Sequence, residues 1–137
     1  MVDNVPQAAG RDAAFELGAE TFSRVMGQPA ESFLQTVDGL APGYGRLILE
    51  TEFGIAYNRP GLDPKTRELV IIASCASLGV TGHGAVRTHI PAALNLGATR
   101  EEIVEVFVQI GFGAGLPTAL AALEVAQQAF AAIDAAA

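Results

Sequence analysis

The ionisable chemistry of this chain is concentrated between Arg59 and His89, in RPGLDPKTRELVIIASCASLGVTGHGAVRTH. This stretch holds both histidines (His83 and His89), the single cysteine (Cys75) and four of the eight basic residues (Arg59, Lys65, Arg67, Arg87). Glu68 stands at the head of an apolar run, LVIIASCASLGV. Ionisable groups beside such a run are costly unless they are paired or used. On a helix, Ile72, Cys75 and Gly79 share the side of Glu68. A carboxyl group desolvated in this way can act as a general acid or base. The plainer reading is a first-turn glutamate that complements the helix dipole or pairs with an arginine. His89 lies just before Pro91, near a helix start or a kink, and its imidazole can accept or give a proton near neutral pH. Glu68 and His89 are therefore the candidate catalytic residues.

The other candidates concern binding. His83 falls in a Gly-rich turn, Thr81-Gly82-His83-Gly84, where it faces either a substrate or solvent. Arg59, held in an Arg-Pro-Gly turn, and Arg67 and Arg87 near helix ends are candidates to clamp a substrate carboxylate. Surface ion pairing is the competing reading for all three arginines. Two histidines and a carboxylate raise the question of metal. Six residues from His83 to His89, across glycine, is not a metal-ligand spacing, so no metal site is expected. Cys75, mid-helix among apolar neighbours, reads as a buried packing residue with an inert thiol.

The elements that must position these groups are helical. Ala13 to Met26 carries Phe15, Leu17, Phe22 and Val25 at amphipathic spacing and ends at Gly27-Gln28-Pro29. A short helix over Ala30 to Val37 and a longer one over Tyr44 to Tyr57 follow, the latter with Leu47, Ile48 and Phe53 as core candidates. Asp63-Pro64 is a cap and first-turn proline. The helix it opens is apolar on every side and is expected at the centre of a bundle. Gly84 to Leu96 reads as helix, beginning near Pro91 or kinked there. Thr99 to Glu102 is a capping box. GFGAG breaks the helix that follows, and Leu116-Pro117 starts a last one to about Ile133. No stretch reads as a convincing strand. The class is all-α, with about seven helices.

At 137 residues the chain has the length of one domain, with flexible ends expected over residues 1–12 and 134–137. Half of its residues are hydrophobic, which for so short a chain points to a subunit interface and a homo-oligomer. The net charge of −7 argues against nucleic acid and anionic membrane surfaces, since no basic stripe exists to meet phosphates. A small anionic substrate is compatible, because a few arginines can converge locally. One cysteine allows no internal disulfide, so a reducing cytoplasm is the default. MVDNVPQAAGRD does not read as a signal peptide. The run from Leu69 to Val80 is too short to span a bilayer.

At these residues the chain resembles the carboxymuconolactone decarboxylase family. The resemblance lies in FGIAYNRPGLDPKTRELVIIASCASLG and RTHIPAALNLGATREEIVEVFVQIGFGAGLPTALAAL, over about residues 50–126. The ordered set RPGLD-x-KTREL, H-x-x-AALN-x-G, EEI-x-E and G-x-P-x-AL is specific. The resemblance implies an AhpD-like helical bundle assembled into trimers or hexamers. It implies either cofactor-free decarboxylation of a carboxylated lactone in aromatic catabolism, or thiol peroxidase activity. The thiol chemistry needs a Cys-x-x-Cys ahead of the family histidine. Counting back from His89, those positions are Gly82 and Ala85, so the nucleophile is missing. The family aromatic is replaced by Gly113 and its Asn by Ala121, and the loop Val80 to Val86 is longer. The expected function is a carboxy-lyase with no cofactor, acting on a carboxylated lactone or similar small organic acid. One alternative is an acid/base isomerase, dehydratase or lactone-opening enzyme of a biosynthetic pathway. A non-catalytic ring-forming binding protein is the other.

Overall fold

Helix starts along this chain are written in its capping residues. Asp63 accepts the Thr66 backbone N–H at 2.9 Å, and Pro64 occupies the first helical position. Thr99 and Glu102 form a reciprocal capping box: Glu102 N–H donates to Thr99 Oγ1 at 3.0 Å, and Thr99 N–H donates to Glu102 Oε2 at 2.9 Å. The computed structural model describes residues 8–137, with side chains from Gly10 onward. In chain order these form α1 (Ala8–Met26), α2 (Ala30–Leu40), α3 (Tyr44–Ile48), a π-helical segment (Leu49–Ala56), α4 (Pro64–Ser77), a 3₁₀ turn (Gly79–Gly82), α5 (His83–Asn95), α6 (Arg100–Ala114) and α7 (Leu116–Ala136). Among the described residues there is no strand, so the protein is all-α. Helix occupies residues 8–12 and 134–136 of the two ends expected to be flexible. Residues 1–7 lie outside the described part.

Chain packing divides the described residues into two compact units, the first ending at Leu62 and the second running Asp63–Ala137. In the first, α1 lies backbone to backbone against the π segment. A Cβ on Gly18 would overlap the Leu49 carbonyl oxygen, and one on Gly54 would overlap that of Ala14. The regular helix expected over Tyr44 to Tyr57 is thus replaced from Leu49 by wider turns, closed by a Tyr57 N–H to Glu52 carbonyl bond of 2.8 Å. The wide turn sets Leu49 and Gly54, five residues apart, together against α1. Asn58 Nδ2 closes the end, donating to the Phe53 carbonyl at 2.8 Å and the Gly54 carbonyl at 3.1 Å. Phe33, Phe22, Phe53 and Tyr57 pack in series with centroids 4.8–5.0 Å apart, edge-on between Phe22 and Phe53 and stacked between Phe53 and Tyr57. Leu47, a core candidate in the sequence, is instead 45% exposed.

In the second unit α4, α5, α6 and α7 enclose a core that includes Ile72, Ala76, Val86, Ile90, Ile103, Phe107, Ala122 and Val125. α4 is not buried on every side, contrary to its composition. Its buried stripe is Glu68, Ile72 and Ala76, while Val70 is half exposed. Ser74 and Ser77 face outward and return their hydroxyls to the Val70 and Ala73 carbonyls. α5 is continuous through Pro91 and begins eight residues before it. Pro91 and Arg87, whose carbonyl the missing N–H would have served, both face solvent, so water can satisfy that carbonyl. α6 likewise passes through Gly111 and Gly113 and ends only at Gly115, whose φ of 106° is open to glycine but strained for other residues. α7 is long and apolar enough to span a bilayer by length and composition alone, a feature the reading of Leu69 to Val80 overlooked. Its inner stripe, Ala122, Val125, Ala126 and Ala129, packs into this unit's core. Arg100 ties the start of α6 to the end of α7 through Asp134, with bonds of 2.6 and 3.1 Å, and lies over the Phe130 ring.

The close approach at Gly54 predicts that Gly54→Ala costs about 1–3 kcal/mol, the range for overpacking. Gly39→Ala, where a Cβ meets nothing, should be neutral or slightly stabilising. Chemical denaturation of both variants checks this, and equal stabilities would contradict it. The carboxyls at helix ends give a pH dependence. Asp63 is held below its usual 3.8 by the Thr66 N–H, Glu102 below 4.5 by the Thr99 N–H and Lys65, and Asp134 below 3.8 by Arg100. Each folded value lies below the unfolded one, so the stabilisation is present above the unfolded values and lost as pH falls through the folded ones. The melting temperature should therefore decline as pH drops below 4.5, and less steeply in the double variant Asp63→Ala, Asp134→Ala.

Candidate active site

α4 and α5 run antiparallel, and two contacts set their register. At one end a Cβ on Gly82 would overlap the Cys75 carbonyl, so the helix backbones touch there. At the other, Glu68 Oε2 lies 2.7 Å from His89 Nδ1. Cys75 is seven residues from Glu68 and Gly82 is seven from His89, about 10 Å along each axis. The glycine contact and the acid–imidazole pair are thus the two ends of one seam.

Glu68 is fully buried, and the His89 side chain is 14% exposed. An isolated buried carboxylate is strongly disfavoured, so a charge-assisted hydrogen bond at this distance is the condition for an ionised Glu68. A carboxylate only accepts, so Nδ1 carries the hydrogen in that state. Nε2 then remains as the atom for chemistry, with the ring's orientation set from behind. An imidazole held by a carboxylate on one nitrogen can give or take a proton on the other.

The structure brings these two predicted catalytic residues together and sets His83 and Arg87 on other sides of α5. His89 is the seventh residue of α5 and not near a helix start; the Arg87 carbonyl is the backbone group that Pro91 releases one turn before it. His83 is the first residue of α5 and not part of an open loop. It stands about 9 Å along the axis from His89 and about 120° around it. Its Nε2 is shut off from solvent, with no hydrogen-bond partner among the described residues. Arg87 is exposed, about 200° around α5 from His89. Arg67 is partly buried on α4, next to Glu68 in sequence. Arg59 belongs to the first unit, in the turn closed by its own N–H to the Ala56 carbonyl at 3.2 Å. Cys75 is only half-buried. Among the described residues no three His, Cys, Asp or Glu side chains stand close enough to hold a metal ion.

Sequence reasoning missed a second buried carboxylate, Glu50, which accepts from Arg46 Nε at 2.9 Å and Arg11 Nε at 3.2 Å. The available signal was the i, i+4 spacing of Arg46 and Glu50. Arg11, 39 residues away, gave none.

Residues 42–128 match the model of the carboxymuconolactone decarboxylase family, and the chain belongs to that family. It is 30% identical to a 4-carboxymuconolactone decarboxylase of Acinetobacter baylyi (strain ATCC 33305 / BD413 / ADP1), over 85% of this chain and 86% of that protein. It is 34% identical to an uncharacterized 15.0 kDa protein in the nqo9-nqo10 intergenic region of Paracoccus denitrificans, over 84% of this chain and 87% of that one. The family match takes in both Glu68 and His89. Family membership supports a decarboxylase-like function at that general level.

Proposed function

We propose that this protein is a cofactor-independent carboxy-lyase that acts on a carboxylated lactone or a similar small organic acid through the Glu68–His89 pair. The observation that carries the reading is the 2.7 Å contact between a fully buried carboxylate and a nearly buried imidazole. The similarity to a 4-carboxymuconolactone decarboxylase supports the substrate class.

In such a reaction the bond from ring carbon to carboxylate breaks and carbon dioxide leaves. The electron pair passes into the conjugated lactone carbonyl as a dienolate, so the substrate is its own electron sink. His89 Nε2 gives its proton to the carbon and is reprotonated from solvent. Glu68 holds the ring and stabilises the imidazolium between turnovers, which makes it a positioning residue. The dry setting strengthens both effects.

His89→Gln should reduce kcat by about 10²–10⁴-fold, the usual contribution of a positioned proton donor. Its helix content should stay near wild type, while its melting temperature should fall, since a neutral amide replaces the charge-assisted partner of the buried Glu68. Carbon dioxide release from carboxylated γ-lactones is the assay, and near-full turnover by the variant would remove His89 from the reaction. Glu68→Gln should lower kcat less, with little change in KM.

The same reading includes self-association into a trimer or hexamer. It is supported by the exposed apolar side chains of the second unit, where Phe112 is 80% exposed and Leu116 and Leu120 are each 61% exposed. Light scattering should give a mass three or six times the 14.1 kDa chain. Phe112→Lys with Leu116→Glu should lower it. A wild-type mass of one chain at micromolar concentration contradicts the assembly.

A further inference from the structure

The first unit contains a cluster for which the acid/base reading has no use. Glu50, on the π segment, is 4% exposed and each of its oxygens holds one guanidinium by its Nε edge: Oε1 that of Arg46 and Oε2 that of Arg11. Arg46 is fixed further by the Phe15 ring, 4.4 Å below its guanidinium carbon, and by Asp12 Oδ1 on Nη2. Arg11, Asp12, Arg46 and Glu50 line a shallow depression of about 350 Å³.

We propose that this depression binds a small oxyanion, a carboxylate or a phosphate, which bridges Arg11 and Arg46 above Glu50 and displaces Asp12. A guanidinium has five N–H donors. Among the described residues Arg11 gives one of them to a partner and Arg46 gives two. The shared carboxylate holds both guanidiniums side by side, the arrangement that two oxygens of an incoming anion fit. The floor carries two positive charges against the single negative charge of Glu50. Asp12 supplies the remaining negative charge, but it is 83% exposed and held by one contact. An exposed ion pair of that kind contributes little and yields to a ligand that engages both arginines. Asp12 then acts as a tethered competitor, occupying Arg46 until the anion arrives.

The test is calorimetric titration of the full chain at fixed ionic strength, with inorganic phosphate in one arm and succinate in the other. Saturable binding in either arm is expected, and the arm that binds identifies the anion chemistry. Arg11→Gln, at an exposed position, should weaken binding about tenfold through loss of a charged donor. Asp12→Asn should tighten it about threefold by removing the competitor. His89→Gln should bind as wild type, which separates this site from the reaction assigned above. Absence of saturable binding in both arms overturns the proposal. So does unchanged affinity in Arg11→Gln or weakened affinity in Asp12→Asn.

Discussion

A carboxylate with no exposure to water must be answered by a partner, and Glu68 is answered by His89. That requirement governs the second unit. α4 must present Glu68 inward, α5 must stand within hydrogen-bond reach, and their register must place His89 opposite. Gly82 meets the second condition, since any side chain there would strike the Cys75 carbonyl and force the helices apart. The Asp63 cap fixes where α4 begins and so which of its residues face the core. The pair is costly to bury and gains most of its meaning from what it leaves free, an oriented ring nitrogen in a dry setting.

The first unit solves a parallel problem by different means. Its buried carboxylate, Glu50, is met by two guanidiniums. Its helices approach through Gly18 and Gly54 until carbonyls lie where side chains would be. The π turns are the local consequence of that approach, because they bring Leu49 and Gly54 onto one face. Asn58 then supplies the hydrogen bonds that the end of a π segment cannot make for itself.

Much of this was legible from residue order. Asp63-Pro64 and Thr99-x-x-Glu102 mark helix starts by local hydrogen bonding, and the coordinates keep both. Glu68 and His89 were identifiable because ionisable groups are rare in such apolar surroundings. One reading fails because it takes composition for environment: α4 reads as wrapped in core, but its serines and Val70 look outward. The break expected in GFGAG falls at Gly115, whose positive φ ends α6 just before Leu116 starts α7. Of the two readings of Pro91 the earlier helix start holds, since on a solvent face the lost hydrogen bond costs little. The depression between Arg11, Asp12, Arg46 and Glu50 is illegible in the sequence because Arg11 and Glu50 meet only after the chain has turned back on itself.

Residue order by itself settled the all-α class, the capped starts of α4 and α6, and the lack of a cysteine pair ahead of His89, and it singled out Glu68 and His89 as candidates. These depend on interactions within a few residues or on side-chain type alone. Tertiary structure decided that Glu68 and His89 touch, that His83 and Arg87 stand away from them, and that a regular helix gives way to π turns beside α1. The first and the last of those outcomes depend on the distance between two backbones, which no local periodicity encodes and which here is set by glycines with no room for a side chain.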